Sequence, residues 1–179
     1  MSATMIQAKA QWKLALGGMS EFHEIVDHHA SMVRRIASVY ERDPGRIEDL
    51  MQDIWFAVWR ALPLLRNQAT IRGFIARIAQ NVCVTHVRRA VARPAQALTD
   101  TFPDPAMPVH DAMAQSARVN RLLEAVRALP DSLKAVATLY LEEMPIREIA
   151  VALGISEGNV SVRLHRVKSA IRLSMGDPL

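Results

Sequence analysis

The chain has 179 residues, half of them apolar, with only seven glycines and 5% aromatics. That is enough for one domain with a sizeable core or two small ones, and it suits helices better than strands. A net charge of +4 and a pI near 9.7 favour a polyanionic partner. The single cysteine, Cys83, excludes an internal disulfide framework or cysteine-based zinc site. It suits a reducing compartment. The first residues lack a signal-peptide core and no segment has the length of a membrane span, so a cytoplasmic protein without membrane insertion is expected.

Residues 1–19 form an N-terminal extension. A first helix opens near Ser20, a plausible N-cap, and carries Phe22, Ile25, Val26, Val33, Ile36, Ala37 and Tyr40 on its apolar stripe. Asp43-Pro44-Gly45 breaks the chain. A second helix runs from about Arg46 to Leu62 and stops before Pro63, with Ile47, Leu50, Met51, Ile54, Val58 and Ala61 on one face. A third spans Ile71 to Ala92, with Ile71, Phe74, Ile75, Ile78, Val82 and Val87 as its stripe. Arg93 to Ala117 holds four of the nine prolines and no sustained helical period. It reads as a flexible linker that could span roughly 80 Å when extended. Beyond it, a helix from near Arg118 ends at Pro130, another covers about Asp131 to Glu143, and a short one covers Ile146 to Leu153. A basic stretch follows to Arg172. The expected fold is all-α: two small helical domains, 20–92 and 118–175, joined by the proline-rich linker 93–117.

IREIAVALGISEGNV has the layout of a helix-turn-helix. Ala150 is small enough for two helices to cross, Gly154 suits the tight turn, Ile155 plugs the corner and Ser156 can cap the next helix. Val160, with Ile149, Leu153 and Leu164, closes the core. In such a motif the second helix enters the major groove. Off its apolar stripe stand Asn159, Ser161, Val162, His165 and Arg166, facing base edges, with Arg166 the best candidate for a bidentate guanine contact. Arg163, Lys168 and Arg172 suit phosphate.

Residues 66–93 hold six arginines and no acid. Arg77, Asn81 and Arg88 share one helical face within about 40°, which favours a second polyanion contact over a merely solvated surface. The helix before it has the opposite sign. Asp49, Gln52 and Asp53, continued by Phe56 and Arg60, lie off its apolar stripe, an arrangement that fits a basic protein partner. Trp55 and Trp59 flank that stripe, as core residues or as stacking platforms for bases.

Together, IEDLMQDIWFAVWRAL, IRGFIARIAQNVCVTHVRR and LPDSLKAVATLYLEEMPIREIAVALGISEGNVSVRLHRVKSAIR resemble the extracytoplasmic-function sigma factors, the small two-domain group of the bacterial sigma-70 family. The resemblance covers about residues 20–92 and 118–173. It implies that the first domain is region 2, with Asp49, Gln52, Asp53 and Phe56 on the β′ clamp of core RNA polymerase. The acids are kept, so core binding without prior modification is expected. It implies that Leu65 to Thr70, including Arg66 and Asn67, capture a flipped base, and that Arg77, Asn81, His86, Arg88 and Arg89 meet the minus-ten element. The second domain is then region 4. It would meet the β flap and read the minus-thirty-five element through Asn159, Ser161, Val162, Arg163, His165, Arg166 and Lys168. The function implied is promoter-specific transcription initiation, held off by an anti-sigma factor until a stress signal. Gly158-Asn159-Val160 departs from the family's usual Gly-Thr-Val, and Ser161 and Val162 stand where relatives often carry other polar or basic residues. The promoter sequence therefore does not carry over.

A stand-alone helix-turn-helix regulator would explain the C-terminal half but not the acidic face. Catalysis by Cys83 with His86, or a redox role for Cys83, competes with a packed thiol. A metal site at His23, Asp27 and His28 lacks a third and fourth ligand on that face. No enzyme activity, cofactor or metal is expected.

Overall fold

The computed structural model of the chain describes residues 19–65, 71–92 and 110–176. Every regular element among them is helical: α1 (Met19–Tyr40), α2 (Pro44–Ala61), a 3-10 turn (Leu62–Leu64), α3 (Ile71–Ala92), α4 (His110–Arg127), α5 (Asp131–Leu141), α6 (Ile146–Leu153) and α7 (Glu157–Met175). The sequence boundaries hold to within about three residues, except at the start of α4. α2 begins at Pro44 because Asp43 is its cap: the Asp43 side chain accepts from the Arg46 N–H at 2.8 Å, and Pro44 occupies the first turn, where no N–H is needed. α4 begins at His110, inside the stretch expected to be linker. Residues 93–109 and 1–18 lie outside the described residues.

α1, α2 and α3 pack around Val33, Ile36, Leu50, Ile54, Val58 and Ile75. The buried face of α3 is not the one its large side chains mark. Ile75, Ala76, Ala79, Gln80 and Cys83 are buried, whereas Ile71, Phe74, Ile78 and Val82 only lean on the core. The alanines let α1 and α2 approach α3 closely, and large-residue periodicity is blind to that. Gln80 is held by Tyr40, whose hydroxyl donates to Oε1 at 2.6 Å.

α5 and α6 both end in a left-handed residue. At the second end it is Gly154 (φ +67°), and the Ile155 N–H reaches back to the Ala150 carbonyl at 3.0 Å. At the first it is Glu143 (φ +57°), with the Met144 N–H on the Leu139 carbonyl at 3.2 Å. This is the same helix stop built without glycine. Ser156 caps α7, accepting from the Asn159 N–H at 3.2 Å, as its position predicts.

The linker would allow the halves to stand far apart; in the structure they pack together. Val136, Leu139, Met144 and Ile149 join the same core cluster as α1–α3, and Val39 of α1 is buried with Val126, Leu129 and Val167. Arg35 grips Glu142 with two N–H groups, Nε to Oε1 and Nη2 to Oε2, each at 2.7 Å. Arg72 donates to the Glu142 carbonyl, Arg127 Nε to the Ser38 carbonyl at 3.0 Å, and Arg42 pairs with Glu124 at 2.6 Å.

Candidate nucleic-acid interface

The stripe that buries Leu50, Ile54 and Val58 turns Asp49, Gln52, Asp53 and Phe56 outward. Phe56 is 62% exposed, and the Arg60 guanidinium stands 5.7 Å from its ring centre. No ion pair among the described residues holds Asp49 or Asp53. Trp55 and Trp59 are half-buried. Both meet Phe22 edge-on, at 6.3 and 4.9 Å between ring centres, and so serve the α1–α2 contact.

On α3, Arg77, Asn81, Arg88 and Arg89 are exposed. His86 is half-buried and donates from Nε2 to Glu41 Oε2 at 2.9 Å. Burial alone would raise the Glu41 carboxyl, but the His86 ring and the Asp43 and Arg42 N–H groups hold it below its ordinary range. Arg66 and Asn67, with the loop 66–70, lie outside the described residues. Asp53 and Phe56 of α2 line one hollow of about 500 Å³ together with Asn81, His86 and Arg89 of α3. The sequence alone gives no sign that these two groups of residues adjoin.

On α7, Val160, Leu164 and Val167 face inward. At 100° per residue, Val162 then stands near the middle of the outward face, with His165 and Arg166 on either side of it and Asn159 farther round; all four are exposed. Arg163 is half-buried, and its Nε donates to Asn159 Oδ1 at 3.0 Å. The Ser161 hydroxyl donates back to the Glu157 carbonyl at 3.0 Å. Lys168 turns aside: its ammonium lies 5.1 Å from the Tyr140 ring centre and, with Arg172, borders a groove between α4, α5 and α7.

Cys83 is wholly buried, and burial pushes its thiol up to about 12. It packs as a small residue in the core cluster of α1–α3. No group of three metal-ligating side chains occurs among the described residues, and no described helix is long and apolar enough to cross a membrane.

Two family models match the chain in succession, Sigma-70 region 2 over residues 25–93 and Sigma-70 region 4 over residues 120–171. The chain belongs to the sigma-70 family, in its extracytoplasmic-function group. Sigma factors are regulatory proteins that bind core RNA polymerase and direct it to promoters. Among curated relatives, the ECF RNA polymerase sigma factor SigM of Mycobacterium tuberculosis is 27% identical over 161 residues, 89% of this chain and 80% of that one. The RNA polymerase sigma-E factor of Streptomyces coelicolor is 26% identical over 160 residues, 88% and 87% of the two chains. Two solved structures share the fold. CnrH in complex with the cytosolic domain of CnrY has a TM-score of 0.65 at 23% identity, covering 99% of this chain and 100% of that one. RpoE of Bartonella quintana, in complex with the anti-sigma factor NepR, has a TM-score of 0.69 at 12% identity, covering 90% and 100%.

Sequence reasoning missed the residues that join the two regions of this sigma factor, Arg35, Arg72 and Glu142. One signal was present. Glu142 and Glu143 sit at the C-terminal end of α5, where the helix dipole disfavours acids. A local rule broken in that way points to a long-range partner.

Proposed function

We propose that region 2 of this sigma factor (residues 20–92) docks on the β′ clamp of core polymerase through Asp49, Gln52, Asp53 and Phe56. In the same reading Arg66, Asn67, Arg77, Asn81, His86, Arg88 and Arg89 hold the minus-ten element. Region 4 (residues 118–175) reads the minus-thirty-five element through Asn159, Ser161, Val162, His165 and Arg166, with Arg163 and Lys168 on its flanks, and meets the β flap. The work is cytoplasmic, and an anti-sigma factor restrains it until a stress signal. The observation that carries the clamp assignment is an acidic face on α2 that also bears the exposed Phe56 ring, without an ion pair to Asp49 or Asp53 among the described residues, in a chain of the sigma-70 family.

The test is the double reversal Asp49→Lys with Asp53→Lys. Both residues are exposed, so the melting temperature should stay put while co-elution with core polymerase and promoter-directed run-off transcription are lost. Holoenzyme forming as before would overturn the clamp assignment. Sequencing the wild-type transcripts from a promoter library also recovers the two promoter elements.

A further inference from the structure

We propose that Val162 reads the methyl group of one thymine in the upstream promoter element, so that the sequence this chain selects carries an A·T pair where α7 presents an apolar side chain. The proposal rests on the assignment of α7 to the minus-thirty-five element.

Several polar groups on the outward side of α7 are already engaged. The Ser161 hydroxyl donates to the Glu157 carbonyl at 3.0 Å, and the Ser169 hydroxyl to the His165 carbonyl at 3.1 Å. Asn159 Oδ1 accepts from Arg163 Nε at 3.0 Å. An adenine is held by an amide that accepts and donates at once. With its oxygen taken, Asn159 has only its N–H groups for a base. Lys168 is turned toward the Tyr140 ring. The middle of the face is therefore Val162, set between His165 and Arg166.

Val162 is 54% exposed. It is the sixth residue of α7, within the N-terminal part from which a recognition helix contacts base edges. Val160, Leu164 and Val167 of the same helix are buried. In the major groove every base edge offers hydrogen-bond donors or acceptors, and thymine alone adds a methyl group. A valine set against a donor or acceptor strips it of water and returns no bond, which costs free energy. Against a methyl group both apolar surfaces leave water, which is favourable. Val162 thus favours thymine and disfavours cytosine, whose amino group would lie unpaired beneath it.

The helix also sets the spacing. Val162 and Arg166 are four residues apart, about 6 Å along the axis, and base pairs stack about 3.4 Å apart. The thymine should lie within about two base steps of the guanine assigned to Arg166.

The test uses holoenzyme reconstituted with core polymerase and the promoter recovered from the library. Deoxyuridine replaces each thymine of the upstream element in turn, on either strand, which removes the methyl group and keeps every hydrogen bond. Binding is read by competition against the parent promoter. One replacement should weaken wild-type binding about two- to fourfold and should have no effect on Val162→Ala. The site is exposed, so that variant should melt as the wild type does. At the same step cytosine should bind more weakly than thymine, and 5-methylcytosine should recover the two- to fourfold factor in the wild type alone.

Deoxyuridine tolerated at every thymine, or a penalty that persists in Val162→Ala, would overturn the methyl contact while leaving α7 on the element. A wild-type holoenzyme indifferent to scrambling of the whole upstream element would overturn the assignment of α7, and the methyl contact with it.

Discussion

α3 and α7 are the two basic helices that we propose meet DNA, and they differ in what covers them. α3 carries no acid, yet Arg72 is bound to a carbonyl of the other half and Arg77 shares a hollow with α6. α7 sinks only Val160, Leu164 and Val167 and leaves Asn159, Val162, His165 and Arg166 in solvent. Charge and helical period make both faces legible as surfaces for a polyanion. Whether such a face is available is decided by residues that contact it from more than sixty positions away, such as Glu142 against Arg72.

The comparison breaks if the two halves do not share a core. Leu139 is fully buried in the cluster that joins them. Leu139→Ala should cost about 2–5 kcal/mol. The tryptophans, Trp12, Trp55 and Trp59, all lie in the N-terminal part of the chain. Tryptophan fluorescence in a urea titration therefore reports whether a cavity in α5 destabilises α1–α3. An unmoved tryptophan transition would mean two independent units and an uncovered α3.

A smaller effect sharpens the α7 side. Arg166→Ala should leave stability within about 0.5 kcal/mol, since the residue is exposed. It should remove about 1–3 kcal/mol of discrimination at one base step of the upstream element, measured against a set of single-base variants. An even loss across all sequences would make it a phosphate contact.

The smallest change concerns the turn that presents Glu142. Glu143 holds φ +57° where glycine normally ends a helix. Glu143→Gly should raise the unfolding free energy by about 1 kcal/mol by relieving the left-handed strain. A drop would show that the Glu143 side chain holds the turn.

The helix-turn-helix was legible because its signals are local: Ala150, Gly154 and Ser156 fall at fixed offsets and do in the structure what those offsets predict. The bounds of α3 and the outward face of α2 were legible for the same reason, since a 3.6-residue period needs no knowledge of neighbours. Three features were not. The buried face of α3 runs through Ala76, Ala79 and Gln80, residues too small or too polar to register as a stripe. Lys168 lies beside the apolar stripe of α7 and covers Tyr140, and its charge alone gave no hint of that. The packing of the two halves depends on Arg35 and Glu142, 107 positions apart, and no periodicity links them.

The hollow between α2 and α3 has one further consequence. Asp53 and Phe56, assigned to polymerase, share it with Asn81, His86 and Arg89, assigned to the promoter strand. Two ligands that border one hollow are not energetically independent. If polymerase at Phe56 strengthens the grip of α3 on the strand by some factor, the strand must strengthen the hold of polymerase by the same factor. The lifetime of this sigma factor on its polymerase would then be set in part by the promoter beneath it, and strong and weak promoters would differ in how long they retain the pair as well as in how often they recruit it.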